Sequence, residues 1–164
     1  MRFISQYLAF VLLLLVAMGC KQQNNNHAGE LNTSANLPEQ LQFNKLGLKV
    51  ITSMINRKDA TMSTLYGNVL ALNYAKSERH SNVAGMEFAL VTWKQQDDER
   101  WFGAKIPGEF QRVEMVTLKA NGNYIQTSYK IYTGKEERGK WKNNPLKGET
   151  RIKYILAQTA SVMP

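Results

Sequence analysis

Three side chains bound the chemistry this sequence can offer: Cys20, the only cysteine, and the two histidines, His27 and His80. A nucleophilic serine or cysteine needs a histidine base and a third group to orient it. His80 lies in a polar stretch, 77–84, with no nucleophile elbow beside it, and reads as an exposed loop residue. Asp97-Asp98-Glu99 is a run of three acids followed by Arg100. Consecutive acids in a loop point in different directions, and no second cluster stands at EF-hand spacing, so the run reads as a surface turn rather than a metal site. Cys-x-x-Cys-His is absent, which excludes covalent c-type haem attachment. No catalytic residue is assigned, and the reading leans away from an enzyme. The segment 93–108 carries two tryptophans, a phenylalanine and Gly-Ala-Lys-Ile-Pro-Gly between strands. Aromatic loops with fixed Gly/Pro geometry line pockets or cap cores. Trp93, Trp101, Phe102 and Lys105 are therefore the candidate pocket lining.

The beginning of the chain accounts for Cys20. Arg2 precedes an unbroken apolar run, 8–18, and Gly19 stands before Cys20. The run is short of the roughly 20 apolar residues that span a bilayer. It suits the h-region of an export signal, about 7–15 residues long. Val16-Ala17-Met18-Gly19-Cys20 resembles a bacterial lipobox, with Ala17 where leucine is more usual. The resemblance implies cleavage after Gly19 and a Cys20 that carries a diacylglycerol on sulfur and an acyl group such as palmitate on nitrogen. Two chains give stable anchoring, and lipidation explains an otherwise odd thiol in an exported protein. Lys21 is compatible with the outer membrane. The expected location is the cell envelope, lipid-anchored and facing the periplasm, with the bilayer as partner through Cys20.

The formal net charge is +8, and loss of Arg2 on cleavage makes it +7. Basic residues gather between Lys135 and Lys153, which reads as a solvated surface or a face toward anionic head groups or ligands. No nucleic-acid recognition motif appears.

These features divide the chain into a signal peptide, 1–19, a lipidated Cys and polar tether, 20–40, and one domain, 41–164. Gln22-Gln23-Asn24-Asn25-Asn26 has little to bury. Within the domain, apolar periodicity predicts strands at 47–55 and 61–66. Asn68 then caps a helix over 69–76, with Val69, Leu72 and Ala75 at helical spacing. Strands follow at 86–93 and 110–119. Asn121-Gly122 makes a hairpin turn into a strand alternating Ile125, Thr127, Tyr129, Ile131 against Tyr124, Gln126, Ser128, Lys130. A basic loop with Pro145 and Gly148 leads to a last helix, 149–160, with Ile152, Ile155, Leu156 and Thr159 on one stripe. Antiparallel strands with helices at the edges argue for an α+β domain.

Several segments together resemble the cytochrome P-460-like domain family. They are Thr61-Met62-Ser63-Thr64-Leu65-Tyr66-Gly67-Asn68, Leu90-Val91-Thr92-Trp93-Lys94-Gln95-Gln96-Asp97-Asp98, Trp101-Phe102-Gly103-Ala104-Lys105-Ile106-Pro107-Gly108 and Val113-Glu114. Tyr154-Ile155-Leu156-Ala157-Gln158, with Val162-Met163-Pro164, resembles the ending of its short branch. The resemblance implies an antiparallel β-sheet with flanking helices, in an exported and commonly homodimeric protein. Full members carry haem c and cross-link it to a lysine; here the attachment motif is missing, and Leu90 falls near the position of that lysine. The resemblance therefore implies a ligand-binding or interaction module in the cavity that haem would otherwise fill, with no cofactor assigned. The alternative is non-covalent haem with His80 as axial ligand and basic residues on the propionates, in an oxidoreductase or gas-binding protein.

Overall fold

The computed structural model describes residues 31–78, 81–133, 142–143 and 145–161. Residues 1–30, on which the expected export signal, Cys20 and His27 fall, lie outside these residues, as do His80, Lys135, Arg138 and Lys140 of the basic run, and Val162-Met163-Pro164.

The fold is α+β, built on one antiparallel meander. Strands β1 (Lys49–Asn56), β2 (Thr61–Gly67), β3 (Glu87–Asp97), β4 (Lys105–Asn121), β5 (Tyr124–Thr133) and the two-residue β6 (Lys142–Asn143) lie in sequence order, each antiparallel to the next. Helix α1 (Val69–Lys76) joins β2 to β3, and α2 (Pro145–Leu156) follows β6. Among the described residues no helix is long and apolar enough to cross a membrane.

The sheet is covered on both faces, and the central strand shows it. In β3, Phe88 and Leu90 face one core while Ala89, Val91 and Trp93 face the other. Successive strand residues point to opposite faces, so a strand buried on both reads as the continuous apolar run found there. The first face packs against both helices, through Ala71 and Ala75 of α1 and Ile155 of α2. The second face is covered by three 3-10 turns, Thr33–Ala35, Glu39–Leu41 and Phe43–Leu46, which bring Leu41, Leu37 and Phe43 against Trp93, Val113 and Tyr132.

Asn68 caps α1 as its sequence position requires: its Oδ1 accepts from the Ala71 N–H at 3.0 Å, and its Nδ2 donates to the Gly85 carbonyl at 2.7 Å. The packed stripe of this helix keeps Leu72 and Ala75 of the expected one, with Ala71 in place of the largely exposed Val69; at Ala71 the helix lies so close to β2 that only a small side chain fits. Gly67 marks that approach, since a Cβ there would lie 2.7 Å from both Ala71 Cβ and Ile51 Cδ1.

Three other segments differ from the sequence reading. Residues 93–108 form the arms and tip of a long hairpin rather than a loop: Gln95 pairs with Pro107, Gln96 with Ile106 and Asp97 with Lys105. Polar residues at both arms hide this extension from apolar periodicity. Pro107 cannot donate to a ladder, and the pairing shifts register between Trp93 and Gln95. Pro145 and Gly148 belong to α2 and not to a preceding loop. Proline suits a first helical turn, where its missing N–H has no partner to lose, and Gly148 packs beside the Tyr129 ring. Finally, residues 32–40, read as tether, pack on the second face of the sheet. Asn32 Nδ2 donates to the Pro107 carbonyl at 2.5 Å, and Ser34 Oγ donates to Gln96 Oε1 at 3.2 Å.

Candidate functional site

Glu114 lies mid-way along β4, in line with Val116 and Leu118 on the face that carries the helices. It is only 1% exposed. A lone buried carboxylate is too costly to keep ionised, and three side chains compensate it. Arg151, from α2, donates Nε to Oε1 and Nη2 to Oε2, both at 2.7 Å. Tyr129, from β5, donates its hydroxyl to Oε1 at 2.6 Å. Arg112, two residues before Glu114 and so on the same face, donates Nε to Oε2 at 3.2 Å. The Arg151 pair is a bidentate fork, the strongest carboxylate geometry available to a side chain.

The electrostatics follow from the packing. Burial pushes the Glu114 carboxyl up, but hydrogen bonds from Arg151 and Tyr129 and the charges of Arg151 and Arg112 outweigh it, and the net displacement is downward. Burial, then the hydrogen bond and charge of Glu114, hold the Tyr129 phenol well above its ordinary value. The hydrogen bond to Glu114 raises Arg151, against desolvation. The carboxylate, the phenol and the guanidinium are thus fixed as anion, neutral donor and cation at neutral pH.

Two guanidiniums share one carboxylate, which leaves this corner with one positive charge in excess. Their side chains remain 39% and 31% exposed. They open onto a groove of about 770 Å³ lined also by Met54, Ile55, Leu90 and Tyr154 and by the opposite charges of Arg57 and Asp59. Arg151 also sits over the Tyr154 ring, 4.7 Å from its centre, and the Tyr154 hydroxyl donates to Met54 Sδ at 3.2 Å. The groove therefore offers guanidinium donors beside apolar and aromatic walls, the composition of a small-molecule site for an anion.

A larger concavity, about 1210 Å³, opens on the opposite face, where Phe43, Tyr66, Trp93 and Phe110 form its aromatic wall. Trp93 is the one sequence-chosen lining residue placed there. It is 7% exposed, and its indole N–H donates to the Ala35 carbonyl at 2.9 Å. The other three stand apart from it. Trp101 and Phe102 occupy the β3–β4 hairpin tip, 70% and 109% exposed, and Lys105 pairs with Asp97 on the hairpin arm. The structure does not bring these four together around one cavity, because the arms of the hairpin carry the tip away from the sheet. Among the described residues no cluster of His, Cys, Asp or Glu could hold a metal ion.

Sequence reasoning missed Glu114, Arg112 and Tyr129 as a unit. One signal was present: an acidic residue at an inward position in the alternation Glu114, Val116, Leu118. Its partners come from three elements, and their convergence is a tertiary fact.

No protein-family model matches this sequence, and no curated protein does.

Proposed function

We propose that the chain is a lipid-anchored envelope protein whose folded domain, of cytochrome P-460-like design without covalent haem, binds a small ligand through an anionic group. The observation that carries this reading is the pair Arg112 and Arg151, held in place by buried Glu114 and opening onto the groove. On the resemblance, Leu90 falls near the family's cross-linking lysine, and its place in the lining of this groove supports reading the groove as the counterpart of the family's ligand cavity.

The arginines suit the propionates of haem; of the residue types that ligate its iron, the described lining holds Met54 and Tyr154, which are hydrogen-bonded to each other, and no histidine or cysteine. What the chain's own residues supply is a cationic hook for a carboxylate or phosphate, an aromatic edge from Tyr154, and apolar walls from Met54, Ile55 and Leu90. Binding and orienting a ligand require no more than these.

Titration of the mature chain with benzoate and, separately, with haemin tests the reading. Arg112→Gln weakens benzoate binding at least about tenfold, the scale of a lost charge-assisted contact, while leaving the Arg151 fork intact. Equal affinity in wild type and variant overturns the assignment of the groove. A Soret band that shifts on haemin addition and is lost in His80→Ala establishes the haem-binding alternative instead.

A further inference from the structure

The tip of the β3–β4 hairpin exposes two large aromatic side chains at adjacent positions. Phe102 is fully exposed and Trp101 is 70% exposed. The tip is nonetheless ordered. The Asp98 N–H donates to the Ala104 carbonyl at 3.0 Å, the Ala104 N–H to the Trp101 carbonyl at 3.0 Å, and Asp98 Oδ1 accepts from the Arg100 N–H at 2.9 Å. Gly103, at φ +79°, makes the reversal that presents the ring of Phe102 outward. A tight turn that holds Trp and Phe in water keeps apolar surface from burial without any gain in internal packing.

The place where the chain joins the domain is at the same end. Asn32 and Ser34 are fastened to Pro107 and Gln96, on the two arms of this hairpin. From Pro107 to Lys105 the strand rises about 7 Å, at roughly 3.3 Å per residue, and the turn that carries Phe102 follows directly. The stretch from Cys20 to Asn32 reaches at most about 40 Å even when fully extended. A membrane holding the acyl chains of Cys20 is therefore within reach of the hairpin tip.

We propose that Trp101 and Phe102 insert into the head-group region of the bilayer that holds the lipid anchor, and so fix which way the domain faces. The inference rests on lipidation of Cys20. Trp prefers the membrane interface, where its ring is half apolar and its N–H stays hydrated. The tip carries Asp97, Asp98 and Glu99 against Arg100 and Lys105, so it has no cationic excess with which to seek anionic lipid. Insertion is by aromatic burial, and the tether raises the local concentration of lipid around a contact that is weak alone.

The test uses the full acylated chain in phosphatidylcholine vesicles whose acyl chains carry bromine, which quenches nearby tryptophan. Wild-type emission is quenched by about a third or more relative to unbrominated vesicles, and Trp101→Leu abolishes that component. The effect is unchanged between low salt and about 0.5 M salt, because screening acts on charges and not on apolar burial. Phe102→Ser, which leaves the reporter in place, reduces the quenching. Palmitate incorporation is read on the same sample. Label without Trp101-dependent quenching overturns the inserted tip and leaves the anchor standing, whereas absence of label overturns the anchor itself. Quenching that vanishes at high salt overturns the aromatic mode in favour of charge attraction.

Discussion

Arg151 grips Glu114 with both prongs of its guanidinium, Nε to Oε1 and Nη2 to Oε2, each at 2.7 Å. This contact ties α2 to the middle of β4 on the face where the helices pack. It converts a buried charge from a liability into a fixed reference point for Arg112 and for the groove beside it. Breaking a buried pair from one side leaves the other charge uncompensated, at about 3–5 kcal/mol. Because Arg151 keeps a third of its side chain in water, Glu114→Gln falls nearer about 2–3 kcal/mol. A double-mutant cycle with Arg151→Met, read by urea denaturation, gives a coupling energy above about 1 kcal/mol; additivity of the two changes contradicts the fork.

Stability depends on pH in opposite directions through two groups of this network. The folded state holds Glu114 below its ordinary value of 4.5, so the unfolded chain takes up the proton first as pH falls. The stability contributed by Glu114 is complete above about pH 5 and is lost as pH drops toward the folded-state value. Tyr129 is raised above its ordinary value of 10.0. Its contribution is complete below that value and is lost as pH rises beyond it. Denaturation midpoints measured from pH 3 to 11 fall at both ends, and Glu114→Gln flattens the acid limb.

Trp93 reports on the N-terminal turns. Its indole N–H donates to Ala35, and Leu37, Leu41 and Phe43 pack against its cluster. A chain beginning at Leu41 loses that hydrogen bond and part of the cover. It melts about 5 °C or more below one beginning at Leu31, since each 1 kcal/mol moves a midpoint by about 4 °C in a domain of this size, and its tryptophan emission shifts to the red. Equal melting temperatures contradict a packed role for residues 32–40.

Gly67→Ala tests the close approach of α1 to β2. The added methyl meets Ala71 Cβ and Ile51 Cδ1 at 2.7 Å, and one neighbour is fixed to a helix whose position the Asn68 cap sets. Overpacking of this kind costs about 1–3 kcal/mol. Asn68→Ala, which removes the cap without crowding, costs about 1 kcal/mol. Thermal unfolding of the two variants separates crowding from capping.

Most strands were legible because their signals are local. The strand from Thr61, the Asn68 cap, the run through Trp93 and the Asn121-Gly122 turn each rest on neighbours in sequence, and each appears close to its expected place. The misreadings share one cause. The hairpin arms beyond Trp93, the packed residues 32–40 and the first turn of α2 carry mostly polar or irregular sequence. Pairing or packing with distant segments gives them their structure, and periodicity within the segment does not register it.

The candidate site divides the same way. Sequence alone determined that the cysteine and histidine inventory offers no covalent haem motif, that Cys20 stands in a lipobox-like context, and that the domain is α+β with an antiparallel sheet. Tertiary structure alone decided that Trp93 is buried under the N-terminal turns while Trp101 and Phe102 stand in water. It alone decided that Arg112, Glu114, Tyr129 and Arg151 meet. The reason is physical: a side chain's identity fixes what it can bond, but a buried carboxylate is paid for by groups drawn from separate elements, and only the packing of those elements sets the distances.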